Sequence, residues 1–208
     1  MSGIGPAGAG RAVLLDACVL YPTVMRELLL GVAAAGLFRP LWSARILEEW
    51  ARAAARAGLQ DAARAEIALC RARWPAAEVA SGAADPVPAG AAALPWLPDP
   101  DDRHVLGSAL AGRAELIVTM NLRDFPRRVL GEYGICAEHP DSFLHGCALQ
   151  APEPVAAVAA RVRAQAERLS GEGWRPRRLM KKARLPRFGR WLESRAPDPG
   201  APDPGGQG

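Results

Sequence analysis

The run Ala12-Val13-Leu14-Leu15 is apolar without alternation, and it stops at an acid, Asp16. A short unbroken apolar run of this kind predicts a strand buried on both faces, as in a parallel sheet. Pro22 suits the first turn of a helix over Thr23 to Ala35, which Gly36 stops. Leu37 to Leu41 predicts the next strand, Ser43 caps a helix through Ala57, and Asp61 caps another that ends before Pro75. Residues 76 to 98, rich in Ala, Gly and Pro with weak periodicity, predict a connection with room for a short strand or helix. Asp101 or Asp102 starts a helix from His104 to Ala111 that Gly112 ends, Leu116 to Thr119 is a strand, and Ile135 to Ala137 is the last one. The alternation predicts an α/β fold, a three-layer α/β/α domain with a central, mainly parallel sheet.

Beyond Pro152, Val155, Val158, Ala159, Val162, Ala166 and Leu169 recur at helical spacing and give a C-terminal helix one apolar face. That face covers the domain's own core, or it docks on a second copy of the chain or a partner. The repeats of APDPG at 196–200 and 201–205 have nothing with which to build a core. The expected organisation is a flexible leader (1–11), an α/β domain (12–150), an amphipathic helix with a basic segment (151–195) and a disordered tail (196–208).

With 208 residues, half of them apolar, the chain has enough material for one good core. No run approaches the roughly 18 apolar residues that span a bilayer. The opening MSGIGPAGAGRA lacks the charged start and apolar stretch of a secretory signal, so a cytoplasmic protein is expected. Cys18, Cys70, Cys136 and Cys147 form no CxxC pair and read as reduced, inert thiols.

Charge divides the chain. Residues 1–150 hold 14 basic against 16 acidic side chains, whereas 151–208 hold 12 against 6. Residues 171–195 alone carry 9 basic and 2 acidic, with Trp174, Phe188 and Trp191 interleaved among them. Such a segment either attracts a polyanion and stacks its bases, or pins its aromatics to the domain while its charges face water.

The candidate chemistry lies in the acids. Asp16 follows a strand, Asp99, Asp101 and Asp102 precede a helix, and Asn121 and Asp124 follow a later strand. Strand-end acids in a parallel sheet gather at its carboxyl edge, where open α/β folds bind ligands. Like charges crowded there need a divalent cation among them. Other classes fit less well. An aspartyl phosphotransferase needs a second acid where Cys18 stands, and a receiver domain needs a late-strand lysine, yet no Lys occurs before 181. His104, His139 and His145 have no zinc-ligand spacing, and Rossmann and P-loop glycine signatures are absent.

Taken in order, LLDACVLYP, WSARILEEW, LPDPDDRHVLGSAL and IVTMNLRDFP resemble the PIN domain family of metal-dependent nucleases, particularly its bacterial VapC-like group, over about residues 12 to 145. The resemblance implies an α/β/α domain whose acids hold Mg2+ (or Mn2+) and hydrolyse RNA, in a toxin held by a cognate antitoxin. Carried over residue by residue, it selects Asp16, Glu49, Asp102 and Asp124 as metal ligands, with Asn121 beside them in the catalytic group. Glu48 is the reserve for Glu49, because neighbours on a helix point about 100° apart and periodicity does not choose between them. Asp101 and Asp99 compete with Asp102, and one of the three is expected to be a helix cap. Asn121 stands where relatives carry an acid, which weakens the cluster by one charge and keeps a second reading open, a PIN-like module that binds RNA or protein without cutting. His104 reads as a packed structural residue before a base, and Arg123 as solvent-exposed before a phosphate contact. Whether the protein pairs with itself stays open.

Overall fold

The structure, a computed structural model, describes residues 10–79 and 97–195. Most of the expected leader, residues 80–96 of the expected connection and the expected tail 196–208 lie outside the described residues. Five parallel strands form one sheet in the order β3-β2-β1-β4-β5, comprising β1 (Ala12–Leu15), β2 (Arg39–Ser43), β3 (Glu78–Val79), β4 (Leu116–Val118) and β5 (Cys136–Glu138). Every residue of β1 is buried, as the central place of an unbroken apolar run requires. Helices pack around the sheet in the expected α/β/α manner.

After β1 comes a single turn, α1 (Ala17–Leu20), which the sequence reading lacked, and then α2 (Thr23–Ala34). Gly36 follows α2 with φ +84°, a left-handed turn that a Cβ would strain. Ser43 caps α3 (Ala44–Ala55), its hydroxyl accepting the Ile46 N–H at 3.4 Å. Ile46, Leu47, Trp50 and Ala54 then recur on the buried face. Asp61 is not the cap expected of it but lies in the first turn of α4 (Gln60–Arg73). The last of the elements before β4 is α5 (Arg103–Ala111), preceded by a 3-10 turn over Pro100–Asp102.

Two strands sit further along the chain than their apolar runs suggested. Pairing with β1 matches Ala12 to Arg39, so β2 starts at Arg39, while Leu37 and Phe38 are buried before it and Phe38 packs edge-on against Phe143 at 5.0 Å. Likewise Leu116 pairs with Cys136, and Ile135 donates its N–H to the Leu130 carbonyl at the end of the small helix α6 (Arg127–Gly131). Apolar residues are buried equally well in a strand or in the turn entering it. Register decides which.

The carboxyl-terminal third is more ordered than one helix and a basic segment. It forms α7 (Pro140–Gln150), α8 (Pro152–Ser170), α9 (Pro176–Lys182) and α10 (Pro186–Ser194), each opened by proline. Val155, Val158, Ala159 and Val162 of α8 are buried, and α8 packs against α2, with Val158 over Gly31. The face therefore covers the domain's own core. Leu169 departs from that face, being 77% exposed on a last turn that faces solvent.

Candidate functional site

Strand order makes a crevice. The chain leaves β1 toward β2 on one side and returns as β4 on the other, so the carboxyl edge between β1 and β4 is the topological switch point of the sheet. Leu15 pairs with Val118, so Asp16 and Thr119, one step beyond, come out abreast. The Thr119 hydroxyl donates to Asp16 Oδ2 at 2.7 Å, and the Cys18 thiol donates to the same oxygen at 3.1 Å. Both groups are held in turn by the next loop. Met120 N–H donates to Cys18 Sγ at 3.2 Å and Asn121 N–H to Thr119 Oγ1 at 3.0 Å. Among the described residues nothing donates to Asp16 Oδ1, so one carboxylate oxygen is fixed and the other is free to ligate.

Cys18 is thus a part of the site that sequence reading set aside as inert. Burial, and then the Asp16 charge, push its thiol far above the ordinary range, so it acts as a neutral donor and not a nucleophile. Its only signal in the sequence was proximity to Asp16.

The three acids before α5 separate by geometry. The Asp99 carboxylate accepts the Asp101 N–H at 2.9 Å and is the cap of the 3-10 turn. Asp101 points to solvent. Asp102, half-buried, makes no capping bond although it sits at the start of α5. Burial first, and then the charges of Asp16, Asp99 and Asp124, raise its carboxyl from 3.8 to about 7, against a smaller opposing effect of His104. Three residues remote in sequence, Asp16, Asp102 and Asp124, therefore share one electrostatic neighbourhood. Asp124 enters it from the 3-10 turn Leu122–Asp124 that follows β4.

On α3 the two glutamates diverge. Glu48 is exposed and pairs with Arg52 one turn on at 2.6 Å. Glu49 turns inward, and its Oε1 lies 2.7 Å from His104 Nε2 and 3.6 Å from Arg45 Nε. His104 is 1% exposed, which agrees with a packed residue, and among the described residues its ring pairs with Glu49. It tethers the Glu49 carboxylate to α5, two residues from Asp102. Asn121 is exposed and its side chain caps nothing, and Arg123 is exposed as expected.

The donor set is carboxylate oxygen throughout, the ligand type of hard divalent cations. Burial raises the Asp102 carboxyl first, and the neighbouring anionic charges raise it further; a cation there would relieve that second part. Among the described residues, no three acidic, histidine or cysteine side chains already stand close enough to make a complete ligand cluster. The residues fit a cation in chemistry and in neighbourhood. Side-chain rotation would have to complete the coordination.

Next to Asp16, through its partner Cys18, opens a cavity of about 540 Å³ lined by Cys18, Tyr21, Asn121, Arg56, Lys182 and Arg184 among others. The aromatic residues of the basic segment do not offer a stacking platform. Trp174 and Phe188 are buried, and Trp191 stacks on Phe188 at 5.7 Å, so they hold α9 and α10 to the domain.

A family model described as PIN domain matches residues 12–123 of this chain. A Mycobacterium tuberculosis (strain ATCC 25618 / H37Rv) protein named "Putative ribonuclease VapC50" is 58% identical to it over 43 residues, 21% of this chain and 25% of that one. The chain therefore spans about a quarter of the length of that relative. No solved structure matches. With the matched region covering more than half of the chain and running from β1 into the turn after β4 of an all-parallel sheet, the chain belongs to the PIN domain family.

Proposed function

We propose that the protein is a metal-dependent endoribonuclease of the VapC-like kind, with Asp16, Glu49, Asp102 and Asp124 holding Mg2+ or Mn2+ and Asn121 assisting them. The observation that carries the reading is the shared neighbourhood of Asp16, Asp102 and Asp124, in which burial first and then the charges of Asp16, Asp99 and Asp124 raise Asp102 to about 7. When bound, the cation would polarise a phosphodiester and lower the pKa of a water. The chain's own residues supply the positioning. Thr119 and Cys18 hold one oxygen of Asp16 and leave the other without a donor among the described residues. His104 from α5 and Arg45 one turn back on α3 hold the Glu49 carboxylate. No side chain at the edge is an activated nucleophile, which agrees with hydrolysis by water.

Incubating the full chain with single-stranded RNA should give cleavage in Mg2+ or Mn2+ and none in EDTA. Asp16→Asn should reduce the rate at least about 100-fold, since loss of even an outer-shell partner costs about 10–100-fold. Far-UV circular dichroism should show the variant folded. Full cleavage by that variant refutes the role of Asp16.

A VapC-like nuclease is a toxin in this reading, held by a cognate antitoxin that should co-purify when both are expressed. Asn121 favours a second reading, a binding module without turnover, because it contributes no charge at a position beside the acids. RNA binding with no cleavage in either cation would establish that reading and end the first.

A further inference from the structure

We infer that Arg56, Lys182 and Arg184 form a phosphate-binding wall that holds the backbone of single-stranded RNA beside the acidic edge. The inference rests on the proposed RNA substrate and adds a subsite that the matched region, residues 12–123, does not contain in full, since two of the three cations lie beyond it.

Three observations carry it. The cations line a cavity of about 540 Å³ that Cys18 and Asn121 also line, and Cys18 donates to Asp16 Oδ2. A polyanion in that cavity is therefore next to the candidate catalytic group. Secondly, Arg56 and Arg184 are exposed and have no acidic partner among the described residues, while Lys182 rests on the Trp174 ring at 4.8 Å and keeps its charge. Free cations grouped on a cavity wall favour phosphate over any neutral ligand.

Thirdly, Arg184 stands where a glycine is expected. Leu185 N–H donates to the Met180 carbonyl at 2.8 Å and Arg184 N–H to the Lys181 carbonyl at 3.0 Å, the paired bonds of a Schellman turn that ends α9. Its left-handed residue is Arg184, at φ +60°. That conformation is unfavourable for a side chain with a Cβ, and such strain concentrates at functional positions. Directly after the corner, the Asp141 carboxylate accepts the N–H groups of Arg187 and Phe188 and so anchors the start of α10, while Arg184 itself lines the cavity.

The turn also supplies the test. Arg184→Gly removes the charge while relieving the backbone, so fold stability should hold or rise as binding falls. Fluorescence anisotropy of a labelled single-stranded oligoribonucleotide with the full chain in EDTA measures binding without cleavage. Lys182→Gln with Arg184→Gly should weaken binding about tenfold, and the slope of log affinity against log salt should fall by about 0.7 for each cation removed. Arg56→Gln should add to both effects. An unchanged affinity and slope, with the variants folded, overturns the wall, as does wild-type protein that fails to bind RNA. A cleavage assay in Mg2+ separates the two proposals. Weakened binding with an inactive wild type keeps the wall and ends the nuclease, and active wild type with unaltered variants does the reverse.

Discussion

Asp102 concentrates the electrostatic cost of the acidic edge. Its carboxyl titrates near 7 in the folded protein against 3.8 ordinarily, so the native state holds this proton more tightly than the unfolded chain. The resulting stability is complete below about pH 3.8 and disappears as pH rises through about 7. In EDTA, the thermal midpoint of the wild type should fall relative to Asp102→Asn across that window. Added Mg2+ should raise it more at about pH 8 than at about pH 5, because the cation replaces the proton as the neutralising charge. A difference between wild type and variant that stays constant with pH in EDTA would contradict this. The same scale separates the neighbouring glutamates. Glu49→Gln should slow RNA cleavage at least about tenfold, whereas Glu48→Gln, whose exposed pair with Arg52 contributes little, should leave the rate unchanged. Equal rate losses in the two variants would remove Glu49 from the proposed ligand set.

At the scale of elements, one carboxylate joins two helices far apart in the chain. Asp141 lies in the first turn of α7, and its two oxygens accept the Arg187 and Phe188 N–H groups at 2.9 and 2.8 Å at the start of α10. Asp141→Ala leaves two donors at the start of α10, the Phe188 N–H among them buried, without partners. It should lower the unfolding free energy by about 2 kcal/mol, read from urea denaturation, with Asp141→Asn in between. A loss under about 0.5 kcal/mol would mean that Phe188 and Trp191 alone hold α10. This tie was not readable beforehand, because Asp141 follows Pro140 and looks like an ordinary acid at a helix start. Its true partners are 46 and 47 positions away.

At the scale of the molecule, α8 closes one side of the domain by packing on α2, and the close approach depends on a glycine. A Cβ at Gly31 would stand 2.6 Å from Val158 Cγ1, and valine has no soft rotamer with which to yield. Gly31→Ala gains up to about 1 kcal/mol of helix propensity but incurs about 1–3 kcal/mol of overpacking. A net loss of stability is expected, and Val158→Ala in the same chain should recover most of it. A double-mutant cycle without coupling would show that the helices separate freely. The same packing buries the face that, from the pattern alone, served a partner as well as a core. Among the described residues no helix is long and apolar enough to cross a membrane.

Periodicity and punctuation by themselves determined the α/β/α layering, the burial of β1, the Ser43 cap, the helix face of α8 and the set of acids from which a site is chosen. These depend on neighbours within a few residues, so they are written locally. Tertiary structure decided the strand registers, the four helices from Pro140 on, the pairing of Glu49 with His104, the reduction of Asp99 to a cap and the drawing of Cys18 into the hydrogen bonds of Asp16. Each of those depends on which distant backbone lies alongside. A parallel sheet, whose every pairing joins remote segments, leaves such matters to packing and not to local sequence.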